Sequence, residues 1–206
     1  MKFIALFLVF GVALRQQNAV DAKPDWADET RFGPYQNPWQ SKPKQRYYLA
    51  KGTKENDSVW GNNFTCVSVT GEPIPGSEQK LNATVQYKNA KHTLLQTTHE
   101  TVSPTKLYNY TETYNGIQYE TQGQPTQTFC DAFVLSDPGN CDIIFDPDSK
   151  GSDTGDYELW VGEDKVENIP ICCQFLTTYL AQLAGKSVRK VYTDQTCKPQ
   201  VSTARK

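Results

Sequence analysis

Short segments in which apolar and polar residues alternate follow one another through most of the chain. Such alternation between turn signals, with many β-branched and aromatic residues, is typical of strands. It predicts nine strands, near residues 46–52, 64–71, 80–88, 93–102, 105–112, 117–122, 127–135, 141–146 and 156–162. Asn115-Gly116 and Asp137-Pro138-Gly139 are among the turn signals between them. Because no helices alternate regularly with these strands, the pattern favours an antiparallel sheet.

One segment near the C-terminus has a helical period instead. Apolar residues recur three and four positions apart at Phe175, Leu176, Tyr179, Leu180 and Leu183. Pro170 before this run and Gly185 after it indicate the two ends of a helix. A last strand is predicted near residues 188–192. Eight or nine antiparallel strands and one late helix predict a mainly β protein, a closed up-and-down barrel with the helix packed outside. A β-sandwich is the alternative.

Acidic and aromatic residues share faces of several predicted strands. In Tyr157-Glu158-Leu159-Trp160 the carboxylate and the indole lie on one face, because successive side chains of a strand point to opposite sides. Such a pair is poor core material but suits an organic cation, which needs a counter-charge and a π-face. Similar pairings occur in Phe129-Cys130-Asp131 and around Asp57 and Trp60. The pattern predicts a site for a small cation.

The register of the strands decides whether further acidic residues point into the barrel. If Asp131 and Asp142 face inward, they join Glu158, and three buried carboxylates without partners would be costly. No lysine or arginine is expected at the inward strand positions, so a ligand amine would supply the positive charge. In the opposite register both aspartates face solvent. Asp57 and Trp60 also fit a simple turn in which the indole packs in the hydrophobic core.

The N-terminus has the pattern of a secretory signal peptide. Lys2 precedes an apolar run over residues 3–14 that is too short to span a bilayer. Cleavage is predicted after Ala22, with cleavage after Ala19 as the alternative. The predicted organisation is therefore a signal peptide at residues 1–22 and a single domain at residues 23–206.

Charge and modification patterns agree with an extracellular protein. Loss of residues 1–22 changes the formal net charge from −2 to −3, which argues against nucleic acid or an anionic membrane surface as a partner. No later apolar run reaches transmembrane length. The N-glycosylation pattern occurs at Asn56, Asn63, Asn82 and Asn109.

Six cysteines in a secreted chain indicate disulfide bonds. A zinc site is not indicated, since no C-x-x-C pair occurs and the chain has two histidines. The register that turns the two aspartates inward turns Cys130 and Cys141 outward, toward the helix that carries Cys172 and Cys173. This register predicts that Cys130 and Cys141 form disulfides with Cys172 and Cys173. The remaining two cysteines, Cys66 and Cys197, would then pair with each other.

Five stretches of the sequence occur in an order typical of one family. They are Pro24–Glu29, Asp57–Cys66, Asn140–Ile144, Tyr157–Trp160 and Asn168–Pro170. In these stretches, and in its cysteine positions, the chain resembles the tick salivary histamine-binding lipocalins over essentially its whole mature length. The resemblance implies an eight-stranded antiparallel up-and-down barrel with a C-terminal α-helix packed outside. It implies a binding protein without cofactor, metal or catalytic residues.

The resemblance also implies two amine sites in one cavity. The tighter site comprises Asp57, Trp60, Glu100, Tyr119 and Phe129. The second site comprises Asp131, Asp142, Glu158 and Trp160. At two positions near the tighter site the chain departs from the family, since Lys54 and Ile117 stand where the family has aromatic residues.

Disulfide pairing is implied in the same way. The family's bridges correspond to Cys66–Cys197 and Cys141–Cys173. Cys130 and Cys172 are additional, and they form a third bridge within the chain or link two chains. The expected state is a monomer or a disulfide-linked dimer.

The function implied is that of a secreted salivary protein that sequesters host biogenic amines, histamine or serotonin, and so suppresses host inflammation. The alternatives are a lipocalin for a lipid mediator and one for a host protein such as a complement component. An enzyme is not indicated, since no Ser–His–Asp order or metal cluster stands out in the sequence.

Overall fold

The structure, a computed structural model, describes residues 23–40, 45–77, 79–123, 125–147 and 154–199. The predicted signal peptide lies outside these residues. The strands are β1 (Tyr47–Gly52), β2 (Asn56–Asp57), β3 (Gly61–Asn62), β4 (Thr65–Pro73), β5 (Leu81–Asn89), β6 (His92–Thr105), β7 (Gly116–Thr121), β8 (Thr128–Asp137), β9 (Cys141–Asp146), β10 (Asp156–Gly162) and β11 (Arg189–Lys190). The α-helices are α1 (Glu29–Phe32) and α2 (Ile171–Leu183).

Eight of these strands close into an antiparallel barrel. They follow the order β1, β4, β5, β6, β7, β8, β9, β10, and β10 pairs back with β1 from Tyr47↔Gly162 to Gly52↔Glu158. β11 pairs with β1 outside this ring. It corresponds to the strand predicted at residues 188–192 but has only two residues. The short strands β2 and β3 form a hairpin of their own. The predicted eight-stranded barrel with an outer C-terminal helix is confirmed.

The prediction of a strand at residues 105–112 is wrong. β6 extends past its predicted end, and the chain then turns. Tyr108 and Asn109 have φ angles of 57° and 61°, in the left-handed region that a strand does not use. The Asn115 side chain accepts a hydrogen bond from the amide of Leu107 over 2.8 Å, which closes the turn. The alternation of apolar and polar residues in this segment therefore does not come from a strand, because the backbone forms a turn here.

β10 is buried on both of its faces. On the inner face, Trp160 belongs to a core cluster inside the barrel, together with Leu49. On the outer face, Leu159 belongs to a second cluster that includes Leu180 of α2. The barrel thus has one core inside it and another between its outer wall and the helix. This second layer is why a strand with strict alternation is buried at every position.

Helix α2 has the ends that the sequence predicts. It begins after Pro170 and ends shortly before Gly185, which has a φ of 69°. Its buried residues, which face the barrel, are Cys173, Thr177, Leu180 and Ala181. Large apolar side chains are exposed on the opposite face at Ile171, Phe175, Tyr179 and Leu183. Only part of the predicted apolar stripe therefore packs against the barrel.

Two disulfide bonds connect the barrel to the C-terminal part of the chain. Cys66–Cys197 joins β4 to the segment after β11, and Cys141–Cys173 joins β9 to α2. The third predicted bridge, Cys130–Cys172, is wrong, since neither thiol is in a disulfide in the described part of the chain. Cys141, which is bonded to α2, pairs with Asp137 of β8. Cys130 lies seven residues before Asp137 on the same strand, which is a distance of roughly 20 Å. Cys130 is therefore far from the point at which the helix is attached to the barrel.

Two further predictions concern the outside of the molecule. Across the described ranges, no helix is long and apolar enough to cross a membrane. The asparagines of the four glycosylation patterns are all exposed in the structure. Their modification stays a prediction.

Candidate functional site: the barrel cavity

The interior of the barrel contains a cavity of about 540 Å³. One part of its wall is apolar and includes Val85, Ile117, Phe133 and Ile144. The other part carries carboxylates, from Glu100 on β6, Asp131 on β8, Asp142 on β9 and Glu158 on β10. Each of the four acidic residues is buried. A guest with a cationic end and an apolar body matches this division of the wall.

The structure brings together most of the residues that the sequence singled out. Of the nine predicted ligand-binding residues, those that line the cavity are Trp60, Glu100, Tyr119, Asp131, Asp142, Glu158 and Trp160. The other two are not among the residues that line the cavity. Phe129 stacks on Tyr119 with 5.2 Å between the ring centroids, and Asp57 bonds to Lys54. The inward positions of Asp131 and Asp142 exclude the opposite register.

The carboxylate and indole of β10 form one polar unit. Trp160 Nε1 donates a hydrogen bond to Glu158 Oε2 over 2.8 Å. Asp142 lies opposite Trp160 in the register of β9 and β10, and its Oδ1 accepts a hydrogen bond from Ser136 Oγ over 2.7 Å. The Trp60 ring lies 6.4 Å from the Trp160 ring, centre to centre. An aromatic edge and two acids thus meet on one side of the cavity.

A cation inside the barrel corrects one prediction from the sequence. Lys54 is 7% exposed, and its Nζ lies 2.6 Å from Asp57 Oδ2 and 2.5 Å from Asp146 Oδ2. It also lies 5.7 Å from the centre of the Trp60 ring. The expectation that no basic residue neutralises the interior acids is wrong, because Lys54 comes from the loop after β1 and strand alternation does not describe loops.

The loop that carries Lys54 is held from outside by Arg189. Arg189 Nε donates to the carbonyl oxygen of Lys54 over 2.6 Å, and one of its terminal nitrogens donates to the carbonyl of Phe64 over 2.9 Å. The guanidinium lies 4.3 Å from the centre of the Phe64 ring. A residue 135 positions away in sequence therefore positions the buried lysine, and no local pattern could have indicated it.

The turn after Asp57 agrees with the simpler of the two sequence interpretations. Asp57 Oδ1 accepts hydrogen bonds from the amides of Val59 and Trp60, over 2.6 and 2.8 Å. The Trp60 ring packs against Phe64, 5.0 Å away. Asp57 thus both closes a turn and bonds to Lys54. Asp146 was missed by sequence reasoning, although it follows Asp142 at an even spacing on β9 and the alternation could have found it.

Burial dominates the electrostatics of the cavity acids. It raises the pKa of Glu100 to about 7, and the nearby negative charge of Asp57 adds to the effect. Burial also raises the pKa of Asp142 to about 7, against the hydrogen bond from Ser136. The pKa of Glu158 is raised by burial to about 7, although the positive charge of Lys54 opposes this. The cavity acids therefore hold protons more tightly than exposed carboxylates do.

Asp131 is the most strongly perturbed of these acids. Burial, followed by the negative charges of Asp146 and Glu158, raises the pKa of Asp131 well above its usual range. Tyr119 hydrogen-bonds to the carboxylate, yet Asp131 Oδ1 has no hydrogen-bond partner among the described residues. A buried carboxylate oxygen without a donor is costly and is the point at which a guest donor would gain most.

Lys54 shows how strongly the acids act on a cation. Burial alone would lower the pKa of Lys54, but the negative charges of Glu158, Asp57 and Asp146 raise it above its usual value. The ammonium group is therefore charged at any physiological pH. In the part of the chain that the structure describes, no group of histidine, cysteine or acidic side chains has the geometry of a metal site.

Comparison with known proteins connects this cavity to one family. The family described as tick histamine binding protein matches residues 26–199. The chain belongs to the tick histamine-binding protein family. It is 55% identical over 197 residues to the male-specific histamine-binding salivary protein of Rhipicephalus appendiculatus, covering 94% of this chain and 96% of that protein. It is 36% identical over 203 residues to the female-specific histamine-binding protein 1 of the same tick, covering 97% and 100%.

The fold of this family member is also found among distant proteins of known structure. The chain is similar to apocrustacyanin C2 with a TM-score of 0.58 at 9% identity, over 85% of this chain and 95% of that one. At such low identity the likeness shows the fold alone, which is the lipocalin barrel.

Proposed function

We propose that the protein is secreted and binds a host biogenic amine, histamine in the first place, reversibly and without chemistry. By holding the amine in its barrel it would lower the free concentration at the feeding site and so suppress inflammation. The observation that carries the proposal is the buried Asp131 carboxylate, whose Oδ1 has no donor among the described residues and lies in the wall of a cavity large enough for an amine. The two histamine-binding relatives support the same ligand, and the salivary origin in the name of the first supports secretion.

The geometry supports a specific way of holding the guest. The ammonium group would donate to Asp131 and Glu158, with Glu100 adding negative charge from the neighbouring wall. The ring of the amine would lie against the aromatic side chains of Tyr119 and Trp160. Each charge-assisted hydrogen bond contributes roughly 1.5–3 kcal/mol, and each aromatic face about 0.5–2 kcal/mol. Their sum, about 4–10 kcal/mol, includes the about 8 kcal/mol of micromolar binding.

The apolar part of the wall bears on the choice of ligand. A lipid mediator would bring a carboxylate, which needs a basic partner. The lysines that line the cavity are Lys54, which is bonded to two aspartates, and Lys80, which is exposed. The apolar wall instead suits the ring of an arylalkylamine, so serotonin is proposed as a second ligand of the same site.

Isothermal titration calorimetry with histamine and serotonin tests the proposal. The wild-type protein is expected to bind histamine, and Asp131→Asn and Glu158→Gln are each expected to weaken binding at least tenfold. Glu120→Gln is the matched control, because Glu120 is an exposed residue of β7. Wild-type protein that binds neither amine, or acid variants that bind as tightly as the control, would contradict the proposal. Amine that is chemically altered after incubation would contradict binding without chemistry.

A further inference from the structure

The buried ammonium group of Lys54 occupies a position that has the chemistry of an amine site. Its Nζ has one carboxylate oxygen on each side, from Asp57 at 2.6 Å and Asp146 at 2.5 Å. The Trp60 ring lies 5.7 Å away. Two charge-assisted hydrogen bonds and an aromatic face are the contacts that a guest ammonium needs. This cage therefore already contains a cation, and the cation belongs to the chain itself.

Asp57 is fully engaged in this arrangement. Its Oδ2 bonds to Lys54, and its Oδ1 accepts the amides of Val59 and Trp60. Asp57 is not among the residues that line the cavity, and Lys54 lines it with an ammonium group that two aspartates already hold. An amine could reach Asp57 only by displacing the lysine.

Displacement of Lys54 by a guest is unfavourable for a structural reason. The backbone of Lys54 is held by Arg189 Nε at its carbonyl oxygen. The side chain starts from a fixed point and loses only rotamer freedom, whereas a free amine also loses translational and overall rotational freedom when it binds. The tethered ammonium also has a high effective concentration at the two aspartates. A resident lysine therefore competes successfully with free amine for this position.

Two further acidic residues of the cavity, Asp131 and Glu158, are not satisfied in this way. Asp131 is 7% exposed, and its Oδ1 lacks a hydrogen-bond partner among the described residues. Glu158 accepts the indole hydrogen of Trp160 at Oε2. Both acidic residues line the cavity. The unsatisfied carboxylate and the resident cation thus divide the interior into one open position and one filled position.

We infer that Lys54 is a specificity-determining residue: it fills the amine position beside Asp57 and leaves the barrel with a single guest site at Asp131 and Glu158. The inference rests on the proposed function, because it concerns how many amines the same cavity accepts. It also assigns Asp57 and Asp146 the role of holding the lysine rather than the guest.

Calorimetric titration with histamine counts the sites. The wild-type secreted protein is expected to bind one histamine per chain. Lys54→Met shortens the side chain by one atom and removes the ammonium group, so the position between Asp57 and Asp146 becomes vacant and the stoichiometry is expected to rise from one to two. Lys51→Met is the matched control, since Lys51 bonds to Gln174 on the outer side of the barrel, and its stoichiometry should stay at one. Two sites in the wild type, or one site in folded Lys54→Met, would overturn the inference. Wild-type protein without any histamine binding would contradict the proposed function instead.

Chemical rescue gives an independent test if Lys54→Met does not fold. Lys54→Ala removes a group that corresponds to propylamine, so added propylamine can place an ammonium between the two aspartates. The melting temperature of Lys54→Ala, refolded with propylamine, is expected to rise with the amine concentration, and that of the wild type much less. Propanol, which has the same chain without the charge, should not reproduce the rise. Equal responses to propylamine and propanol would overturn the role of Lys54 as a resident cation.

Discussion

The indole nitrogen of Trp160 donates a hydrogen bond to Glu158 Oε2 over 2.8 Å, from a position two residues further along the same strand. The pair is buried, with exposed fractions of 8% and 4%. The bond lowers the pKa of Glu158, against the larger effect of burial. Trp160 therefore does more than present a ring to the cavity, because it also orients the neighbouring carboxylate and favours its charged form.

Trp160→Phe should separate these two roles. Phenylalanine keeps an aromatic ring but removes the donor, so the Glu158 carboxylate becomes less well oriented and its pKa rises. We expect histamine affinity at neutral pH to fall by about tenfold, in line with the loss of one hydrogen bond to a charged group. Calorimetric titration measures the change. Trp26→Phe is the control, since Trp26 Nε1 bonds to Tyr157 on the outer side of the barrel. Equal affinity in both variants would show that the indole hydrogen does not matter.

Amine affinity should increase with pH around neutrality. The groups that face the guest are Glu100, Asp131, Asp142 and Glu158, and the pKa of each is raised by burial, to about 7 for three of them. Below about pH 7 these acids carry protons that a bound ammonium must displace, so binding should release protons and weaken as the pH falls. Lys54 stays charged throughout and does not contribute to the change.

Calorimetry in buffers of different ionisation enthalpy measures the protons released. Histamine has an imidazole that titrates near the same pH, so Glu158→Gln serves as the reference. The difference between wild type and variant isolates the contribution of Glu158. A wild-type affinity that does not vary between about pH 6 and about pH 8 would contradict capture by carboxylates with raised pKa values.

Asp131→Asn should stabilise the empty protein at alkaline pH while it weakens binding. The folded state raises the pKa of Asp131, so between the usual carboxylate pKa and the raised value the folded state binds more protons than the unfolded state. Stability from this group is therefore lost as the pH rises. An amide avoids this loss, and we expect a gain in the free energy of unfolding of about 1–3 kcal/mol at pH 8.

The pH dependence of this gain is its internal control. At about pH 4 the aspartate is protonated in the folded state, and wild type and Asp131→Asn should be similarly stable. Urea unfolding at both pH values measures the difference. A variant that is less stable than the wild type at pH 8 would show that the hydrogen bond between Tyr119 and the carboxylate outweighs the cost of burying the charge.

The cysteines of α2 should differ sharply in their importance. Removal of the Cys141–Cys173 bridge by Cys141→Ala and Cys173→Ala opens a loop with a sequence separation of 32 and should cost about 3–4 kcal/mol. Cys172→Ser should change stability by less than about 0.5 kcal/mol, because Cys172 is exposed and forms no disulfide among the described residues. Thermal unfolding without reductant tests both. A large loss in Cys172→Ser would indicate that this thiol is bonded.

The sequence by itself predicted those features that depend on local periodicity. Alternation with turn signals indicated the antiparallel barrel, and a proline and a glycine marked the ends of α2. The inward positions of Asp131 and Asp142 followed from a period of two once one register was chosen. Patterns of this kind are visible because neighbouring positions on a strand or helix share one environment.

The tertiary structure decided which distant segments meet. Lys54 enters the barrel from a loop and is held by Arg189, and Cys130 lies too far along β8 to reach Cys172. The closure of the barrel also placed Asp146 beside the lysine. None of these contacts has a period in the sequence, because each depends on where the closed barrel brings remote segments together. The local pattern therefore indicated an acidic interior, and only the three-dimensional structure revealed the cation already inside it.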